Sequence, residues 1–162
     1  MRSPLVRSIA VALAVLVLAA CSSEESRLTK DELITQADAI CKTAMEEIGT
    51  LGQDLGMPTE ENMPQWADEL GELLSVFEDM TSQLKDLNPP EADQGMWDQI
   101  TAGLDQEVGA LDTAQQAAED GDVTGMSSAL MEINTVDEKI TQLATDYGFK
   151  QCGAESSEEG TT

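Results

Sequence analysis

Histidine is absent from the chain. That removes the Ser-His-Asp and Cys-His pairs of nucleophilic catalysis, the common zinc sites, and the Glu-x-x-His pairs that hold di-iron centres in helical bundles. Cations are scarce as well: 8 Lys and Arg stand against 32 Asp and Glu, a net charge of −24. Phosphate binding needs clustered Lys and Arg, so this balance argues against nucleic acid as a partner and against docking flat on anionic lipid. No glycine-rich loop follows a strand pattern, which leaves nucleotide binding without support. The three cysteines contain no Cys-x-x-Cys to favour redox work. No β-rich alternating run competes with the helical periodicities along the chain.

What is present begins with an export signal. Arg2 and Arg7 precede 12 residues, Ile9 to Ala20, made only of Ile, Val, Leu and Ala, and no acid occurs before Glu24. The basic start stays on the cytoplasmic side. The run suits the core of a signal peptide and falls short of the roughly 20 residues of a spanning helix. It ends in Leu18-Ala19-Ala20-Cys21, which resembles the lipobox of bacterial lipoproteins. That resemblance implies a cleaved signal peptide at 1–20 and a diacylglyceryl thioether on Cys21, the first mature residue. It also implies a location at the cell membrane, lipid-anchored on the extracytoplasmic face. One acyl chain binds a membrane marginally, and two or three hold stably. Cleavage removes Arg2 and Arg7 and no acid, so the net charge of −24 becomes −26. Solubility is the plain reason for such a charge, with a patch for a specific envelope partner as the rival reading.

With Cys21 modified, Cys41 and Cys152 remain as an even pair in an oxidising compartment, which reads as a disulfide. It closes a loop of about 110 residues and constrains the unfolded chain by roughly 4 to 5 kcal/mol in the chain-entropy account.

Residues 21–28 are expected to be the lipidated cysteine and a short tether, 29–152 a single domain, and 153–162 a disordered acidic tail. Four helices are expected in the domain. The first starts at the capping-box pattern Thr29-x-x-Glu32 and carries Leu33, Ala37, Ile40, Ala44, Ile48 and Leu51 on one stripe, until Gly49, Gly52, Gly56 and Pro58 end it. The second, capped by Asn62 with Pro64 in its first turn, carries Trp66, Leu70, Leu73, Phe77, Met80, Leu84 and Leu87 and stops at Asn88-Pro89-Pro90. The third is marked by Trp97, Ile100, Leu104, Val108, Leu111 and Ala118, with Gly121 as terminator and Asp122 capping the fourth. Met126, Ala129, Ile133, Val136, Ile140, Leu143 and Tyr147 form the last stripe, closing at Gly148. The fold class is all-α, an antiparallel four-helix up-down-up-down bundle.

The layout resembles a group of small actinobacterial lipoproteins and secreted proteins of unknown function. The features that carry it are Ala37 to Cys41, Leu87 to Pro90, the Glu119-Asp120-Gly121-Asp122 turn, and Tyr147-Gly148 followed by Cys152-Gly153. It implies the bundle and the Cys41–Cys152 bond, and it offers no activity.

Three sets of residues invite chemistry and carry little. Ser82 to Lys85 matches the S-x-x-K of penicillin-binding enzymes, but the companion Ser-Asp-Asn and Lys-Thr-Gly segments are missing and Lys42-Thr43-Ala44 lies on a helix. Glu119 to Gly125 is rich in Asp and Gly like a calcium loop, yet the twelfth position from Asp120 is Met131. A glycosidase pair needs two acids in a cleft, whereas the acids here fall mostly on outward helical positions. The expectation is therefore no catalytic, cofactor or metal residues, and no enzyme. The domain reads as a lipid-anchored binding or structural module of the cell envelope. A divalent-cation or small-ligand receptor is the alternative, with Asp120 and Asp122 as the acids to test, and an enzyme is the remote one.

Overall fold

The computed structural model describes residues 27–49, 51 and 56–152. The expected signal peptide, Cys21, nearly all of the tether and the tail at 153–162 lie outside the described residues. Within them the chain is all-helical: α1 Lys30–Ile48, α2 Met63–Lys85, α3 Gln94–Glu119 and α4 Val123–Tyr147, with a 3-10 turn at Glu91–Asp93 leading into α3. Among the described residues no helix is long and apolar enough to cross a membrane.

Local chemistry sets most helix ends. Glu32 Oε2 accepts from Thr29 N at 2.9 Å, while Glu32 N donates to Thr29 Oγ1 at 3.3 Å, completing the capping box. The bonds the Glu32 carboxylate accepts from Thr29 N and Thr29 Oγ1 favour the ionised form and hold it below its ordinary range. Asn62 stands at the start of α2 but does not cap it with its side chain. Its Oδ1 accepts from Thr59 N at 2.7 Å instead, and its Nδ2 donates to Met57 O at 3.0 Å, so it ties down the preceding loop.

α3 ends at Glu119, with Gly121 in the left-handed region at φ 72°. Gly121 N–H bonds Ala118 O and Asp122 N–H bonds Ala117 O, the paired closure of a Schellman turn. Asp122 then caps α4 by accepting from Gly125 N at 2.9 Å. The same turn recurs at Gly148, φ 112°, where Phe149 N–H bonds Ala144 O and the Phe149 ring is directed into the core.

The core has two parts. One is built from Leu33, Ala37, Cys41 and Ala44 of α1 with the last turns of α2, the second half of α4, the first half of α3, and Phe149. The other, formed around Met63, Leu70, Leu111 and Met126, takes nothing from α1. α3 packs most extensively on α4 and next on α2, while α1 rests on α2. Leu28 N–H donates to Asn88 O at 2.8 Å, and Lys85 Nζ meets Asp105 Oδ2 at 2.8 Å. Gly71 lies against Gln115, and Gly103 against Ile140.

The buried stripes shift slightly from those expected. Cys41, Ala67 and Met63 are buried, while Ile40, Trp66, Leu73 and Phe77 are only half-buried. The consequential difference is on α3, where the buried position is Glu107 and Val108 turns partly outward.

Candidate functional site

The last residues of the domain close over the end of α1. After the Gly148 turn, the Asp38 carboxylate on α1 accepts backbone N–H groups from Lys150 at 3.0 Å, Gln151 at 2.8 Å and Cys152 at 3.4 Å. One carboxylate thus satisfies three consecutive donors that a turn would otherwise expose. Cys152 is then joined to Cys41 by the disulfide, across a sequence separation of 111. Tyr147 OH donates to Asp93 Oδ2 at 2.7 Å, and Lys30 Nζ sits 4.1 Å from the Tyr147 ring centroid. Burial, the Asp93 hydrogen bond and the Asp93 charge together push the Tyr147 phenol above its usual range.

Behind this closure lies a pocket of about 90 Å³. Its floor is one face of α3: Trp97, Ile100, Leu104 and Glu107. Those positions lie ten residue steps apart from first to last, or about 15 Å at the helical rise, so the pocket is elongated along α3. Phe77 and Met80 of α2, Asp137, Ile140 and Thr141 of α4, and Cys41 and Met45 of α1 form the walls. Phe149, Gln151 and Cys152 shut one end.

The chemistry is concentrated in Glu107. It is 3% exposed and lines the pocket, with Asp137 as its charged neighbour. Burial raises its pKa to about 8 from an ordinary 4.5, and the neighbouring Asp137 charge adds to the effect. Asp137 is raised too, by desolvation first and by Glu138 second, although much of its surface still faces solvent. Toward the other end, Trp97 is 3% exposed and its indole N–H has no hydrogen-bond partner. A mostly apolar slot therefore carries a buried acid and an unmatched donor on the same helix face. Native interiors seldom bury an acid or leave a donor unsatisfied, which makes each a candidate contact for a bound molecule.

The other residues singled out from the sequence fall apart from this pocket, except the disulfide, which forms part of its wall. Ser82 is exposed, and Lys85 is engaged with Asp105, so the S-x-x-K match assembles no site. Lys42 pairs with Glu46 at 3.7 Å on the surface. Asp120 ends α3, and Asp122 spends its carboxylate on the α4 cap. Among the described residues no three acids, cysteines or histidines converge as a metal site.

The stripe expected on α3 runs through Val108, so Glu107 is not among the expected site residues. The signal was nonetheless present. Ile100, Leu104, Glu107, Leu111, Ala114 and Ala118 step by 4, 3, 4, 3 and 4, a continuous core stripe with one acid in it.

No protein-family model matches this chain, and neither a curated protein nor a solved structure is significantly similar to it.

Proposed function

We propose that the chain is a lipid-anchored extracytoplasmic receptor of the bacterial cell envelope, binding a small ligand in the Glu107 pocket. The observation that carries the ligand site is Glu107 itself. A carboxyl this buried costs stability that a purely structural position would avoid with Gln or Leu. Its neighbours on the pocket wall are apolar, the usual composition of a small-molecule site. A macromolecular docking face has less support. The large apolar side chains exposed among the described residues, Met45, Met57 and Met131, are three separate methionines on α1, the α1–α2 loop and α4. Catalysis on a sugar in this pocket is disfavoured by size, since about 90 Å³ is too small for one hexose ring of roughly a dozen heavy atoms.

The helices are read as an up-down-up-down bundle. Supporting this are Leu28 beside Asn88, Lys85 on Asp105 with Gly71 on Gln115, and Gly103 on Ile140 with Gly125 near Ala117. In each pair of helices, positions later in one meet positions earlier in the next. The location rests on the lipobox-like Leu18–Cys21 and on the resemblance to small actinobacterial lipoproteins.

Two measurements test the reading. Cys21→Ala should leave unprocessed precursor or shed protein, and an acylated, normally processed N-terminus in that variant refutes the anchor. Native mass spectrometry of the full chain taken from envelopes in mild detergent should show a non-covalent small molecule. Filling the pocket wall with Thr141→Phe should abolish that added mass; the same added mass on both proteins, or none on either, refutes the receptor.

A further inference from the structure

We infer that the Glu107 pocket takes a small organic ammonium ion, its nitrogen against the Glu107 and Asp137 carboxylates and its short apolar body along Leu104 and Ile140. The inference rests on the pocket being the ligand site, and it names the ligand's chemistry.

Charge decides the sign of the ligand. Two carboxylates from adjacent helices, α3 and α4, border one pocket. No Lys or Arg lines it: α1 contributes Cys41 and Met45, α2 contributes Phe77, Met80 and Leu84, and the closing turn Phe149, Gln151 and Cys152. Among the described residues Glu107 and Asp137 are thus the only titratable groups facing the space, and once Glu107 ionises its counter-charge comes from outside the protein. An anionic ligand would meet two acids inside a chain of net charge −24.

The lining then separates an organic cation from a metal ion. A hydrated metal needs several oxygen ligands in place of its water, and among the described residues no group of three or more metal-ligating side chains converges. An alkylammonium needs one or two acceptors for its N–H groups and an apolar wall for its carbons, which the pocket has. Size narrows the class further. A cavity of about 150 Å³ holds benzene, six heavy atoms, so about 90 Å³ suits roughly four. n-Propylammonium has that count.

Binding has a defined proton balance. Near neutral pH, Glu107 holds a proton because its pKa is pushed up to about 8. The ammonium keeps its own protons, Glu107 gives up its proton to solvent, and an ion pair replaces a neutral acid. Apparent affinity should therefore rise about tenfold per pH unit up to about pH 8 and level off above it.

The test uses the full chain in detergent, titrated into the millimolar range with n-propylammonium, 1-propanol or propionate at ionic strength fixed with sodium chloride. Readouts are the Trp97 indole N–H resonance, the Leu104 and Ile140 amides, and calorimetry in two buffers of different ionisation heat. n-Propylammonium should saturate, bind roughly tenfold or more tighter than 1-propanol, and release a proton in neutral buffer. Glu107→Gln should lose that advantage and the pH dependence together. Asp137→Asn, at a more exposed position, should keep the fold and show a smaller loss.

If 1-propanol binds as tightly, propionate binds more tightly, or Glu107→Gln binds n-propylammonium unchanged, the cation inference falls while the pocket stands as a ligand site. If none of the three probes gives a saturable shift at these resonances, both readings fall.

Discussion

Glu107→Gln removes the one ionisable group from the buried face of α3 while keeping its shape. In the wild-type fold the carboxyl titrates near 8 rather than at its ordinary 4.5. Between these values the folded chain holds a proton that the unfolded chain has lost. Stability should therefore fall as pH rises, by up to about 1.4 kcal/mol per pH unit, and level off above the folded pKa. Over the whole interval from 4.5 to about 8 the loss comes to roughly 4 to 5 kcal/mol. Gln stays neutral throughout, so its curve should lack this component. Urea denaturation followed by helical circular dichroism, from about pH 5 to about pH 9, gives the comparison. The two proteins should be close at the acid end, and the Gln variant should be more stable by several kcal/mol at the alkaline end. Asp137 is also raised and contributes a slope of the same sign, but it is present in both proteins and largely cancels in the difference. Glu32 is lowered, so its contribution is lost only as pH falls below the ordinary carboxylate value, outside this window. Parallel curves for the two proteins across the range would falsify the buried, neutral Glu107.

Replacing Cys41 and Cys152 by Ser should cost roughly 4 to 5 kcal/mol by thermal or urea denaturation, for a loop of 111 residues, with most helical signal kept at room temperature. A double variant as stable as wild type overturns the clasp. Gly103→Ala would put a Cβ 2.7 Å from Ile140 Cγ1, so it should lower stability by about 1 to 3 kcal/mol despite Ala's better helix propensity; an unchanged or raised midpoint refutes that close approach. Calcium at matched ionic strength should shift the melting temperature no more than magnesium does. A saturable calcium effect, lost in Asp120→Asn with Asp122→Asn, would instead revive a cation site at the α3–α4 turn.

Helix number and most helix ends were readable from sequence because their causes are local. Thr29 and Glu32 satisfy each other within one turn, Pro89 and Pro90 cannot continue α2, and Gly148 accepts a left-handed backbone wherever the helix lies. The Cys41–Cys152 bond was readable because two thiols allow one pairing once Cys21 is set apart. Asn62 misled as a cap because Thr59 and Met57, also close in sequence, outcompete the helix for its amide.

The pocket belongs to the tertiary structure alone. Periodicity shows that a face of α3 turns inward, but an acid on that face has two outcomes: it reaches the rim and water, or neighbours cover it. Only the packing of α2 and α4 beside Leu104 and Ile140 decides that Glu107 is covered. The same holds for Asp38, an ordinary surface acid by pattern, which receives three N–H donors more than 100 positions away in the chain. Short-range hydrogen bonds and backbone restrictions are written within a few residues, whereas desolvation depends on whichever distant side chains arrive.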